Sequence, residues 1–243
     1  MSKLESAATE LKNLLGLDSP PIAITFSQAP PEGIPRYGGS MPAPTPDGRT
    51  GTVPAGCVFW IKGGERTFHT CAEDHANCSV GSLTHGFKTL EEAAGGADIA
   101  ALVECGWVSP EVFPDIPTVK QKPECVTYGP LGDAASTPDV VLLRLNGRQA
   151  MMLHDAIPGL GMEGKPQCHI IPIAKEEGRA VLSVGCMLSR VRTGMTNNEM
   201  TCAIPGAQIE DVLDKLKTAT AADKVVAAYA SEDSSRFGDY LDS

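Results

Sequence analysis

Leu4, Ala7, Ala8, Leu11, Leu14 and Leu15 recur at helical spacing and Gly16 follows them, so the chain is expected to open with an amphipathic helix that docks on a core and stops at the glycine. Residues 21–26 and 140–145 read as short buried strands, and residues 126–128 and 179–184 as further extended runs. Residues 97–107 predict a buried helix ending at Gly106, and residues 148–157 a helix stopped by Pro158-Gly159-Leu160-Gly161. After Ile204-Pro205-Gly206 the pattern predicts a helix over 207–217, a second near 221–230, and a solvated end rich in Ser and Asp. Residues 27–54 break the periodicity: Pro30, Pro31, Pro35, Pro42, Pro44, Pro46 and Pro54, interspersed with glycines, exclude regular structure and predict a long loop placed to act as a lid. Such an order of strands, helices and long loops defines an α+β (mixed α/β) fold.

Eight cysteines punctuate this pattern, and four of them fall into two similar pairs. Cys57, in Gly56-Cys57-Val58, is followed by a turn, a short extended run and Cys78; Cys168 is followed by a turn at Glu176-Glu177-Gly178, a short extended run and Cys186. Each pair follows a buried strand and a Gln-Ala step, Gln28-Ala29 and Gln149-Ala150. The expectation is a single domain over 1–243 built from two related halves, 1–130 and 131–232, packed around a shared cysteine site.

Composition narrows the chemistry. With 42% hydrophobic and 21% charged residues the chain can bury a sizeable core, and its formal charge of −10 with 5% aromatics argues against nucleic acid. Its first residues lack the basic start and apolar run of a secretory signal, and no stretch approaches a membrane span, so a cytoplasmic location away from membranes is expected. There thiols stay reduced, which turns eight cysteines away from disulfides and toward metal, redox chemistry or burial.

Leu15-Gly16-Leu17-Asp18-Ser19-Pro20-Pro21, Gly56-Cys57-Val58, Asn77-Cys78-Ser79-Val80-Gly81, Pro138-Asp139-Val140-Val141-Leu142, Gln149-Ala150 and Ser183-Val184-Gly185-Cys186, with Arg190 and Glu199, resemble in order and spacing the domain-of-unknown-function family 169. The resemblance covers nearly the whole chain and implies a cysteine-centred site without fixing a reaction. Four soft thiolates suit an iron-sulfur cluster or zinc, and the absence of any Cys-x-x-Cys step favours a cluster, 4Fe-4S above all, held by Cys57, Cys78, Cys168 and Cys186. Gly56, Gly81 and Gly185 would let backbone approach its sulfides. The expected function is electron transfer, redox sensing or small-molecule redox chemistry, with a small molecule or an electron-transfer protein as partner and room for a homo-oligomer.

Other readings stay open. One is a metal-free thiol enzyme with Cys78 or Cys186 as nucleophile and His85 or His169 as base. Another is a zinc site on the local set His69, Cys71, His75 and Cys78; the bland alternative makes both histidines surface or turn residues. A third is a non-catalytic pocket for a small apolar or haem-like tetrapyrrole ligand, lined by Met151, Met152, Met162, Met187, Met195 and Met200. Arg148, Lys165, Arg190 and Arg192 are candidates to place positive charge beside the second pair. Cys105, Cys125, Cys202 and His154 read as packing residues. Gly159-Leu160-Gly161-Met162-Glu163-Gly164 spells a dinucleotide fingerprint, but a helix precedes it where a strand is needed, so it reads as a turn.

Overall fold

The first helix begins with reciprocal capping: the Ser2 hydroxyl accepts the Glu5 N–H and the Glu5 carboxylate accepts the Ser2 N–H. It runs as α1 (Lys3–Leu15) and ends where Gly16 turns to φ +64°. The computed structural model describes residues 2–38, 56–163 and 166–241.

Seven strands, β1 (Ile22–Ser27), β2 (Phe68–Thr70), β3 (Cys125–Pro130), β4 (Val140–Leu145), β5 (Gly161–Glu163), β6 (Val181–Ser183) and β7 (Met200–Pro205), form one sheet in the order β2-β3-β1-β4-β7-β6-β5. All neighbouring pairs are antiparallel except β5 with β6. The sheet divides at the antiparallel β1–β4 pair: outward from it lie β3 then β2 on one side, β7 then β6 on the other. The helices follow the same plan. Helix α2 (Cys57–Lys62) falls between β1 and β2, and α3 (Ser79–Thr84) between β2 and β3. Between β4 and β6 come α6 (Gly147–Ala156), the 3-10 turn Gln167–His169 and α7 (Ile170–Pro172), and between β6 and β7 comes α8 (Met187–Thr193). Between α3 and β3 come in addition α4 (Leu90–Ala94) and α5 (Ala97–Glu104).

Alternation along the strands sends side chains to two cores. On one face Leu11 and Leu15 of α1, Leu153 of α6, and Leu213 and Leu216 of α9 (Ile209–Leu241) cover Val141, Leu143, Cys202 and Ile204. On the other, Phe59, Trp60, Phe87, Ile170 and Ile171 pack on Ile22, Ile24, Val126, Tyr128, Val140 and Leu142. Cys57 and Cys168 sit against this second core.

Three expectations are corrected. Helix α5 is not a core helix: Ile99 is its one buried side chain and Cys105 just beyond it is exposed, because its apolar run faces a cavity and not the sheet. The C-terminal region is one continuous helix, since Thr218-Ala219-Thr220-Ala221-Ala222 contains neither Gly nor Pro to interrupt it. His154 is exposed, on the outer side of α6. The predicted loop starts as expected after β1, but it is tied down: the Tyr37 N–H donates to the His69 carbonyl and the His69 N–H to the Pro35 carbonyl. Over 39–54 the expected lid lies outside the described residues.

Candidate functional site

Each of the four paired cysteines stands where a short helix or helical turn begins. Cys57 is the first residue of α2, Cys78 and Cys186 are the residues before α3 and α8, and Cys168 lies in the 3-10 turn before α7. From those positions all four cysteines line a single cavity of about 410 Å³. Cys78 Sγ already accepts the Gly81 N–H at 3.3 Å, and a Cβ at residue 81 would come within 3.2 Å of that sulfur. Gly185, at φ +104°, turns the chain into Cys186 and is backed by Arg190.

The thiols are close enough to repel one another as thiolates. Burial, with the charges of Cys57, Asp98 and Cys186, pushes the Cys78 thiol up to about 12. Burial and the other three thiols hold Cys168 well above its ordinary range, and burial raises Cys57 although Ser189 and Gln167 donate to it. Among the described lining residues there is no Lys or Arg, while Asp98 and Asp115 add negative charge. Four ionised thiols here therefore require a bound cation, since a coordinating metal deprotonates them outright. A raised thiol is the reverse of what a nucleophile needs, which weakens the thiol-enzyme reading for Cys78.

Several residues that line the cavity also carry buried polar atoms without partners. Trp60 Nε1, His85 Nε2, Gln167 Oε1 and His169 Nε2 are buried without partners and belong to residues that line it. His85 donates Nδ1–H to the Gly81 carbonyl at 2.9 Å, so its Nε2 carries a bare lone pair. Burial lowers both His85 and His169 to about 4, which keeps both rings neutral at pH 7. The remaining wall is apolar: Ile99, Leu102, Trp107, Val112 and Phe113. A site with soft donors, bare polar atoms and a dry wall fits a metal group that fills it.

Spacing separates two sets of donors. Tetrahedral zinc with Zn–S of about 2.3 Å holds its sulfurs about 3.8 Å apart. Among the described residues, His69, Cys71 and Cys125 alone form a group of three or more such donors within 4.8 Å of one another, a candidate metal-binding group. No three of the four cavity thiols lie that close to one another. The local set His69, Cys71, His75 and Cys78 is thereby taken apart. Cys78 faces the cavity, His69 and Cys71 join Cys125, and His75 is fully buried against Phe59, Phe87 and His85. Neither histidine is a surface residue: His69 is buried with its ring at the Ile34 carbonyl, and His75 packs as a ring among Phe59, Phe87 and His85.

Of the other expectations, none of the six methionines lines the cavity, and Met151, Met162 and Met187 are exposed. Arg148 pairs with Asp223 away from the cysteines, and Arg190 donates to the carbonyls of Val184 and Glu199, bracing the turn at Gly185. Lys165 and the Arg192 side chain lie outside the described residues, as does Gly164 of the glycine motif, whose Gly161 opens β5. Cys202 is buried on the opposite face of the sheet. Trp60 and Ser189, which the sequence reading passed over, stand three residues after Cys57 and Cys186, one helical turn on; that spacing was the available signal.

The fold and site define an α+β protein with a four-thiol cavity shared between the halves of an antiparallel-rich sheet. The chain belongs to domain-of-unknown-function family 169 (DUF169, uncharacterised ArCR), whose model matches residues 10–215, a span that includes every cysteine of both donor sets. Nothing matches the chain among curated proteins or among solved structures. Among the described residues no helix is long and apolar enough to cross a membrane.

Proposed function

We propose that the protein is a cytoplasmic iron-sulfur protein whose 4Fe-4S cluster is held by Cys57, Cys78, Cys168 and Cys186, each of two related halves contributing one pair. The observation that carries this reading is the convergence of four thiols on one cavity with no three of them close enough for a single ion. The order of strands and cysteine-bearing turns, repeated on either side of the β1–β4 pair, supports a duplicated origin of the halves. A bound cluster supplies single electrons. Gly81 hydrogen-bonds the Cys78 sulfur, a contact of the kind that raises a reduction potential. The wall of Ile99, Leu102, Trp107, Val112 and Phe113, with no cationic side chain among the described lining residues, suits a small uncharged apolar molecule as redox partner better than a phosphate or carboxylate.

Anaerobically purified full-length protein should be brown, with iron and acid-labile sulfide in near-equal amounts, and serine at any one of the four positions should lose or convert the cluster. Colourless protein with stoichiometric zinc in the cavity would replace the cluster by zinc. Protein that binds no metal after anaerobic reconstitution would overturn the proposal.

A further inference from the structure

Strands β2 and β3 pair antiparallel, with His69 opposite Thr127 and Thr70 opposite Val126. Continuing that register sets Cys71 opposite Cys125, and alternation puts His69, Cys71 and Cys125 on one face of the strand pair. Phe68, Val126 and Tyr128 point to the other face, into the core that borders the cysteine cavity. The three donors therefore lie across the sheet from that cavity. Cys71 Sγ and Cys125 Sγ are 3.3 Å apart, and a ring nitrogen of His69 joins them within 4.8 Å. His69 and Cys125 are buried and Cys71 is half-buried, so this is a built site and not a surface cluster.

We propose that His69, Cys71 and Cys125 form a second, mononuclear site that binds zinc, independent of the four-thiol cavity. The donors are already at the spacing of one tetrahedral ion, whose sulfurs sit about 3.8 Å apart, so the two thiols need only open slightly. His69 is oriented as a ligand histidine is: Nδ1–H donates to the Ile34 carbonyl at 2.8 Å, which fixes the tautomer and leaves the Nε2 lone pair for the metal. Two thiolates and one imidazole are a borderline-soft set that zinc prefers, and three protein donors leave a fourth position for water. The neighbourhood braces the site. The Cys71 N–H donates to Asp74 Oδ2, Arg36 Nε donates to the same carboxylate oxygen, and Arg36 bridges to His69 through the backbone.

The test titrates the reduced, metal-free full-length chain with cobalt(II) under anaerobic conditions, reading the thiolate-to-cobalt charge-transfer and visible bands, and then displaces cobalt with zinc. The Cys57→Ser variant disables the cavity set and should keep one tight tetrahedral cobalt with two-thiolate intensity. Adding Cys71→Ser to it should abolish that signal, and adding His69→Gln should weaken binding at least about tenfold. Far-ultraviolet circular dichroism checks that each variant folds; should Cys71→Ser unfold the chain, His69→Gln, which keeps both sulfurs, decides. No tight cobalt in Cys57→Ser, binding unchanged by His69→Gln, or a Cys71–Cys125 disulfide that survives reductant would each overturn the second site. None of these outcomes depends on whether the cavity holds a cluster.

Discussion

Replacing Gly185 by alanine tests whether the backbone turn before Cys186 is as constrained as it looks. Gly185 has φ +104°, where an L residue pays about 1–2 kcal/mol for its backbone alone. An added Cβ would also collide with Arg190 Nη1 and stand 2.9 Å from Met195 Cε. Arg190 is flexible and can withdraw, but its Nη2 donates to the Val184 carbonyl at 2.8 Å and the Glu199 carbonyl at 2.9 Å, and withdrawal breaks these. Charged hydrogen bonds of this kind contribute about 1.5–3 kcal/mol when buried, less at this partly exposed position, so the total loss is roughly 2–4 kcal/mol. Urea unfolding of the metal-free Gly185→Ala variant, followed by circular dichroism, measures it, with cluster loading assayed in parallel. The Gly185→Ala, Arg190→Ala double variant should be less destabilised than the sum of the singles, because the arginine can be displaced only once. A loss below about 0.5 kcal/mol, the ordinary range for a surface substitution, would refute the reasoning.

Two further outcomes follow from burial. Cys105→Ser, at an exposed position away from both donor sets, should leave stability within about 0.5 kcal/mol and iron content unchanged, whereas Cys202→Ser buries a hydroxyl in the opposite core and should cost about 1–3 kcal/mol with iron retained; both are read by thermal melting and iron assay. His85 is lowered from 6.5 to about 4 by burial, so the unfolded chain binds the proton that the folded chain refuses: its contribution is full above pH 6.5 and is lost as pH falls toward 4, by about 3 kcal/mol over that window. Urea midpoints of the metal-free protein at pH 7 and pH 5 should differ accordingly, and His85→Gln should lessen the difference by this ring's share while His75 and His169 keep theirs; an equal slope in both proteins would contradict the burial assigned to this ring.

What the sequence disclosed follows the range of the interactions involved. Helix α1 and its stop at Gly16 were legible because side-chain periodicity and a left-handed cap act within a few residues. Strand β4 was legible because a run of Val140-Val141-Leu142-Leu143 buried on both faces tolerates nothing polar. Helix α5 misled, since an apolar stripe reads alike whether it covers a sheet or lines a cavity. The buried roles of His69 and His75 were hidden because a histidine's partners are supplied by distant segments: Ile34 for one, Phe59 and Phe87 for the other. Cys125 was read as packing because its partner Cys71 is 54 residues away, and only the β2–β3 register brings the two sulfurs together.

That register explains why one chain presents two thiol sets of different reach. Directly opposed residues on paired strands have Cβ atoms about 4.5–5.5 Å apart, so donors on one face of β2 and β3 arrive at the spacing of one ion with little freedom to separate. Thiols carried at the starts of four separate helical segments obey no such rule. Their separation follows from how α2, α3, α7 and α8 pack on the sheet, where Phe59, Trp60, Ile170 and Ile171 belong to the core beneath them. The strand-borne set can therefore fill without moving the helices, and the helix-borne set can fill without disturbing the strand register. If the cavity set were instead a mononuclear site, closing four thiols onto one ion would have to draw these segments inward against their own core. Such a collapse would appear as lost hydrogen-exchange protection in α2 and α8 on zinc binding, where a cluster should increase it.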